Sequence, residues 1–175
     1  MKIKKIESFS NKFVGFVKVT IEDGSYGWGQ VSTYHSDITV QILHRQVAPW
    51  FMDQDINDLD NLLDIVTERE HKFPGSYLRR AMAGVDTAIW DLRGRLSEKS
   101  VAELLGGSPG SIRAYASSMR RDITPYDEAI RLKSLRDSQG FDAFKVRAGA
   151  EVGRNHDEWP GRTEEIIPTM RKELG

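Results

Sequence analysis

The chain contains no cysteine among its 175 residues. This absence excludes a disulfide framework, a thiolate zinc site and a cysteine nucleophile. An excess of either charge is also missing, since 25 Lys and Arg residues face 26 Asp and Glu residues and the net charge is −1. Proteins that bind nucleic acids usually carry a basic excess on one surface, so this balance argues against nucleic acid as a partner.

Long apolar runs are absent as well. No segment approaches the ~20 apolar residues that a membrane-spanning helix needs. The first six residues, MKIKKI, lack the apolar centre of a signal peptide. We therefore expect no membrane contact and a cytoplasmic location. A content of 39% hydrophobic and 29% charged residues is typical of an ordinary soluble protein.

The first part of the chain changes from a strand pattern to a helix pattern. Alternating side chains predict three strands, over residues 2–9, 13–22 and 26–31. Asp23-Gly24-Ser25 favours a hairpin turn between the last two, because Asp-Gly accepts positive φ at little cost. Apolar residues three and four apart then predict helices over 38–47, 59–66 and 78–92. The predicted N-caps are Asp37 and either Asn57 or Asp58.

The glycine-rich segment 106–110 predicts a domain boundary, and the pattern changes after it. Strands and helices now alternate, with strand 112–117, helix 124–138, strand 141–148 and helix 162–174. Such alternation is typical of the start of a parallel sheet. We therefore predict two domains, over residues 1–110 and 111–175.

Two cationic residues lie near the end of the predicted strand 141–148. Because strand side chains alternate between two faces, Lys145 and Arg147 point the same way, whereas Phe144 and Val146 point the other way. Near the carboxyl end of a parallel strand, such a pair can neutralise a carboxylate or act on a proton beside one. A strand that ends in solvated cations is the alternative interpretation.

Two motifs, one in the long predicted helix and one just after it, carry a family resemblance. Residues 81–94 read AMAGVDTAIWDLRG and residues 101–107 read VAELLGG. With the order of elements along the whole chain, they resemble the N-terminal portion of the enolase superfamily, in its mandelate racemase and muconate lactonizing enzyme group. The resemblance implies an α+β capping domain, an antiparallel meander plus helices, followed by the first two βα units of a (β/α) TIM-type barrel.

The resemblance also implies a chemistry. Enzymes of this group use a divalent metal, usually Mg²⁺, and abstract a proton α to a carboxylate. Lys145 and Arg147 correspond to the Lys-x-Lys pair of the second barrel strand and are the candidate catalytic residues. Lys145 would hold a substrate carboxylate and acidify its α-proton, while Arg147 would clamp the substrate or relay a proton.

The second position of that pair departs from the Lys-x-Lys pattern. Arginine stays protonated far above neutral pH. It occurs in some acid-sugar dehydratases of the group, so the expected reaction is dehydration of a sugar acid. A racemase, an epimerase or a cycloisomerase of the same group is the alternative. The phenol that accompanies the arginine in those dehydratases has no match here, because residues 148–161 contain no tyrosine.

Residues 32–36 match the capping-domain loop that sets specificity in the family. Tyr34 and His35 are therefore candidates for contacts with substrate hydroxyls, and an exposed loop surface is the alternative. His156-Asp157-Glu158 contains metal-ligating residue types, but sequence neighbours seldom converge on one ion, which favours a solvated loop. His44 and His71 are expected to be structural or on the surface.

The family's metal ligands, one Asp and two Glu, belong to the third, fourth and fifth barrel strands. The resemblance therefore implies Mg²⁺ with no metal ligand in this chain. Three interpretations stay open: the front part of a longer enzyme, a non-enzymatic binding module, and a chain completed by another polypeptide. The expected partners are a small carboxylate such as a sugar acid and, from the family, further copies of the same protein in a homo-oligomer.

Overall fold

An antiparallel sheet of three strands opens the chain in the computed structural model, which describes residues 1–175. The strands are β1 (Ile3–Ser10), β2 (Val14–Ile21) and β3 (Tyr26–Thr33), paired in the order β1-β2-β3. All three predicted strands are confirmed within two residues at each end. Gly24 has φ +88° in the turn, and Asp23 Oδ1 accepts a 2.8 Å hydrogen bond from the Ser25 amide.

The two faces of this sheet differ in burial. The inward side chains of the strands are buried, among them Ile3, Val17, Val19, Ile21 and Val31. The other face leaves aromatic rings partly in solvent, and Lys18 Nζ lies 4.0 Å from the centre of the Tyr26 ring. Alternation along the strands therefore separates an apolar core face from an exposed aromatic face.

Five helices follow the sheet: α1 (Ser36–Ile42), α2 (Ala48–Phe51), α3 (Leu59–Arg69), α4 (Ser76–Ser97) and α5 (Val101–Leu104). Of these, α1 and α4 pack directly on its strands, and α5 packs on α4. A π-helical segment, Leu43–Val47, separates α1 from α2, so the predicted helix 38–47 is real but not regular throughout. The buried side chains of α4 recur every three or four residues: Leu78, Ala81, Met82, Val85, Ala88, Ile89 and Leu92.

The helix caps differ in part from the prediction. His35, not Asp37, is the N-cap of α1, and it makes no side-chain cap bond. Asp58 does occupy the N-cap of α3, again without a cap bond, and Asn57 does not. Asp55 instead caps the short 3₁₀ segment Ile56–Asp58 by accepting a 2.9 Å hydrogen bond from the Asn57 amide. Local residue preferences therefore predicted that the helices exist, but they predicted the residue at which each helix begins less well.

The chain divides into two units, Met1–Pro109 and Gly110–Gly175. In the second unit, parallel strands β4 (Ala116–Ser117) and β5 (Phe144–Lys145) alternate with helices α6 (Pro125–Gln139) and α7 (Arg162–Leu174). Its core contains Ala116, Ala129, Leu132, Ile166 and Met170. The alternation is as predicted, and the assignment of this unit to a barrel stays a prediction.

The predicted strands 112–117 and 141–148 are wrong in length, since each contains only two paired residues. β4 and β5 pair only with each other. Around that pair, the Ala116 amide bonds to Ala143 O at 2.9 Å and the Ser118 amide bonds to Lys145 O at 2.8 Å. Apolar alternation indicates which residues can join a sheet. The length of the observed strand depends on how many of those residues form hydrogen bonds with a neighbouring strand.

Candidate active site

Lys145 and Arg147 lie at the carboxyl end of β5. Phe144 and Val146 pack against the core of the second unit, as the alternation predicts, while Lys145 is exposed. No ion pair of the chain involves Lys145 or Arg147. Two cations without acidic partners therefore lie at the end of one parallel strand.

The guanidinium of Arg147 is poorly satisfied within the chain. Its Nη2 lies 3.1 Å from the sulfur of Met119, which is a weak acceptor. Its Nε is buried and has no hydrogen-bond partner. The four N–H donors on its terminal nitrogens have no stronger acceptor within the chain, so they can bind an acceptor such as a carboxylate.

The segment after β4 lies at the same edge, because parallel strands end on the same side of a sheet. Ser118 is buried there, and its hydroxyl accepts a 3.2 Å hydrogen bond from the Arg120 amide. Glu128 of α6 is also buried and accepts two bonds from Arg131, at 2.8 and 2.9 Å. Burial works against ionisation of Glu128, but the hydrogen bonds from Arg131 and Ser118 hold its pKa below the ordinary value.

Two residues at the start of α7 bind the backbone that follows β5. Arg162 Nη1 donates to Arg147 O at 2.8 Å, and Thr163 Oγ1 accepts from the Gly149 amide at 2.9 Å. Arg121 Nε donates to Gly149 O at 3.1 Å. The sequence contains no motif for these contacts. The one available signal is a cation in the first turn of a helix, where the helix dipole disfavours positive charge.

Asp157 completes this set of contacts. Its carboxylate accepts from the Thr163 amide at 2.6 Å and from the Thr163 hydroxyl at 2.7 Å. These bonds lower the pKa of Asp157 below its usual value. Asp157 therefore connects the loop 149–161 to the first turn of α7 by hydrogen bonds.

Tyr34 and His35 belong to the first unit and connect β3 to α1. Both have left-handed backbone conformations, with φ of 60° and 51°. Non-glycine residues rarely adopt such angles, and they cluster at functional sites. Tyr34 is 69% exposed, and its ring meets that of Phe13 edge-on at 6.4 Å.

The two residues line a cleft of about 240 Å³. Its other lining residues are Ser32, Thr33, Ser76, Tyr77 and Arg80. Arg80 Nη1 donates a 3.0 Å hydrogen bond to Ser32 Oγ. The cleft therefore combines hydroxyl groups, an imidazole and a guanidinium, which suit a polar ligand with acidic or hydroxyl groups.

The histidine and acidic side chains do not form a metal centre. No group of three or more His, Asp or Glu side chains is arranged to hold an ion, so the residues present do not fit the magnesium site that the family implies. His44 Nε2 lies 2.8 Å from Ser8 Oγ, and His71 Nδ1 lies 2.8 Å from Glu68 O. Both histidines thus have local partners.

The longest helix, α4, contains 22 residues. Neither it nor any other helix has the apolar length that crossing a bilayer requires.

Comparison with known structures gives close matches over the whole chain. A proposed racemase from Roseobacter denitrificans is 79% identical, with a TM-score of 0.96. A mandelate racemase/muconate lactonizing protein from Paracoccus denitrificans PD1222, complexed with magnesium, is 26% identical, with a TM-score of 0.87. The 3,6-anhydro-D-galactonate cycloisomerase from Zobellia galactanivorans is 26% identical, with a TM-score of 0.78.

These structures also show how much of a relative the chain represents. The three alignments cover 100%, 99% and 100% of this chain but only 48%, 49% and 48% of the respective relatives. The chain thus spans about half the length of the structures that it matches.

Residues 4–106 match the N-terminal domain of the mandelate racemase / muconate lactonizing enzyme family. Apart from Ile3, the first residue of β1, this range contains β1 to β3 and α1 to α5, which form the capping domain with its three-stranded antiparallel sheet. The chain therefore belongs to the mandelate racemase/muconate lactonizing enzyme family of the enolase superfamily.

Proposed function

We propose that the full-length protein abstracts the proton α to the carboxylate of a sugar acid and then eliminates water. The α C–H bond breaks, its proton passes to a general base of the full-length protein, and its electron pair forms the C1=C2 bond of an enediolate. That pair then moves to form a C2=C3 bond as the β C–O bond breaks, and the departing hydroxyl takes a proton to leave as water. The resulting enol becomes a 2-keto-3-deoxy acid. The reaction needs no oxidant or reductant, since the substrate only loses water.

The observation that carries this proposal is the pair of unpartnered cations at the end of β5. Lys145 is exposed and has no acidic partner. The terminal nitrogens of Arg147 have only the sulfur of Met119 as a partner. A carboxylate would satisfy both groups and would become a better electron sink for the α-carbon.

Arg147 is the reason for favouring dehydration. A racemase needs groups that both remove and return a proton, and an arginine remains protonated near neutral pH. Arg147 is better suited to holding the substrate carboxylate or hydroxyl while the reaction runs in one direction. Racemisation is the second candidate, because the 79% identical protein from Roseobacter denitrificans is described as a proposed racemase.

Magnesium enters the proposal through the family. The Paracoccus denitrificans relative is complexed with magnesium, and this chain covers 49% of it. We assign the metal ligands of the full-length protein to the part that lies outside residues 1–175. A cytoplasmic location and a homo-oligomer stay predictions.

The test uses the full-length protein with Mg²⁺ and a panel of hexonic and hexaric acids in D₂O. Proton NMR reports where deuterium enters, and a carbonyl reagent reports the 2-keto product. Dehydration gives the keto acid with deuterium at C3, where the enol takes up a solvent proton, whereas racemisation gives deuterium at the α-carbon without the keto acid. If no acid gives either signal, the proposal of an enzyme is wrong, and the interpretation as a non-enzymatic binding module is favoured.

Matched variants assign the reaction to the two cations. Lys145→Met and Arg147→Met should each lower kcat/KM at least about 100-fold, a loss typical of removing one group that stabilises developing charge. Lys172→Met, an exposed position on α7, should behave as the wild type. Equal activity in all three variants would place the chemistry elsewhere.

A further inference from the structure

Arg162 is the largest fully buried side chain of the protein. Its Nη1 donates to Arg147 O at 2.8 Å, and its Nε donates to Ile123 O at 3.3 Å. The guanidinium carbon lies 5.2 Å from the centre of the Trp159 ring. Its Nη2 is buried and has no hydrogen-bond partner.

Arg162 has no carboxylate in direct contact. None of the chain's ion pairs includes it, so no carboxylate lies within 4.0 Å. It is also the first residue of α7, where the positive end of the helix dipole repels a cation. Its charge meets only the Trp159 ring and the more distant carboxylates of Asp122 and Asp157, whose pKa values it helps to lower. No close ion pair accounts for the arginine, so the reason for it lies in the atoms to which its N–H groups donate.

The contacts of Arg162 suggest a different reason. Arg147 O belongs to the backbone of a candidate catalytic residue, and Ile123 O belongs to the segment between β4 and α6. One planar guanidinium therefore ties together the backbone segments that follow both parallel strands. The hydroxyl of the next residue, Thr163, accepts a hydrogen bond from the Gly149 amide. The start of α7 therefore bonds to the backbone of both Arg147 and Gly149, just after β5.

We infer that Arg162 is a positioning residue that fixes the backbone of Arg147 and, through it, the direction of the Arg147 side chain. The inference rests on the proposed function, since it assigns Arg147 to the reaction. Arg162 is buried and acts through a main-chain carbonyl. A shift of about 1 Å in a reacting group can cost about 100-fold in rate, so the contact can control kcat without contacting substrate.

The test compares Arg162→Met and Arg162→Lys with Arg171→Met in the full-length protein. Arg171 is exposed on the same helix and serves as the matched control. Methionine fills a similar volume without donors, and lysine restores one charged donor but not the planar pair. The readouts are hydrogen exchange of the peptide 145–150, the thermal midpoint, and kcat and KM for the acid identified in the substrate screen.

We expect Arg162→Met to speed amide exchange in 145–150 at least about tenfold and to lower kcat about 100-fold, while KM changes less than about threefold. The thermal midpoint should fall by no more than about 4 °C, the cost of the lost hydrogen bonds, and exchange elsewhere should stay at the wild-type values. Arg162→Lys should recover part of both losses, and Arg171→Met should match the wild type.

Two results would overturn the inference. One is unchanged local exchange and kcat in Arg162→Met. The other is a larger fall in the thermal midpoint with faster exchange throughout the second unit, which would show a role in overall folding. If even the wild type turns over no acid, the proposed function fails. In that case the local exchange alone decides whether Arg162 fixes the strand end.

Discussion

The backbone of Gly29 in β3 lies directly against the backbone of Gly84 in α4. A methyl group at position 29 would overlap the carbonyl oxygen of Gly84. On the side of the helix, a methyl group at position 84 would overlap the side chain of Val31 in β3. The two missing side chains therefore allow the long helix to pack closely on the sheet.

We predict that Gly29→Ala destabilises the capping domain by about 3 kcal/mol, the upper part of the range for overpacking, because backbone atoms cannot move aside as side chains do. Urea unfolding of the full-length protein measures the change. Gly110→Ala is the control, since a methyl group there meets no atom within 4 Å. Equal unfolding midpoints in both variants would contradict the close packing.

Glu128→Gln should destabilise the second unit. Glu128 is 1% exposed and accepts both Arg131 bonds, so at neutral pH the loss should be about 1–3 kcal/mol. Because the folded pKa of Glu128 lies below the ordinary 4.5, its contribution is present above pH 4.5 and disappears as the pH falls through the folded value.

Thermal unfolding at a series of pH values tests this dependence. The gap between wild type and Glu128→Gln should be constant near neutrality and should shrink as the pH falls below 4.5. The exposed Glu165→Gln should show no such gap. A gap that widens in acid would contradict the predicted sign.

Asp157 should make the loop 149–161 sensitive to acid. Its folded pKa is lowered from 3.8, so its stabilisation is complete above that pH and is lost as the pH falls through the folded value. Asp157→Asn should loosen the loop already at neutral pH, as faster amide exchange in peptides 149–163. The exposed neighbour Glu158→Gln is the control, and faster exchange in that variant alone would contradict the role of Asp157.

Arg147→Lys should change how the reaction depends on pH. Lysine keeps the positive charge but loses the bidentate fork, and its pKa shifts more readily. We expect elimination to fall about tenfold, the cost of one charge-assisted hydrogen bond. Exchange of the α-proton with D₂O should rise with pH, because only the neutral amine can accept a proton. An unchanged pH profile would argue against contact between residue 147 and the reacting atoms.

Tyr34→Phe should weaken substrate binding without altering the fold. The variant removes only the hydroxyl and retains the ring that meets Phe13. One lost hydrogen bond corresponds to an increase of about fivefold in KM. The control is Tyr126→Phe, at an exposed position on α6. Equal KM values in the wild type and Tyr34→Phe would favour the alternative that Tyr34 is an exposed surface residue without substrate contact.

Much of the first unit was predictable because its signals are local. Polar-apolar alternation identified β1 to β3, and the spacing of residues such as Leu62 and Val66 identified α3. The π-helical segment Leu43–Val47 was not predictable, since its apolar spacing also fits an ordinary helix. In the second unit, strand lengths were overestimated because pairing depends on a partner far along the chain.

The sequence by itself determined the order of the elements, the family motifs and the pair of cations at the end of β5, because each depends on neighbouring residues. Only the tertiary structure decided which cations are bound and which are free. Arg162 reaches Arg147 O across 15 residues and Ile123 O across 39, and no local pattern records such contacts. Burial of Arg162 and the unpartnered Nε of Arg147 both arise from packing between distant segments, which a linear pattern does not specify.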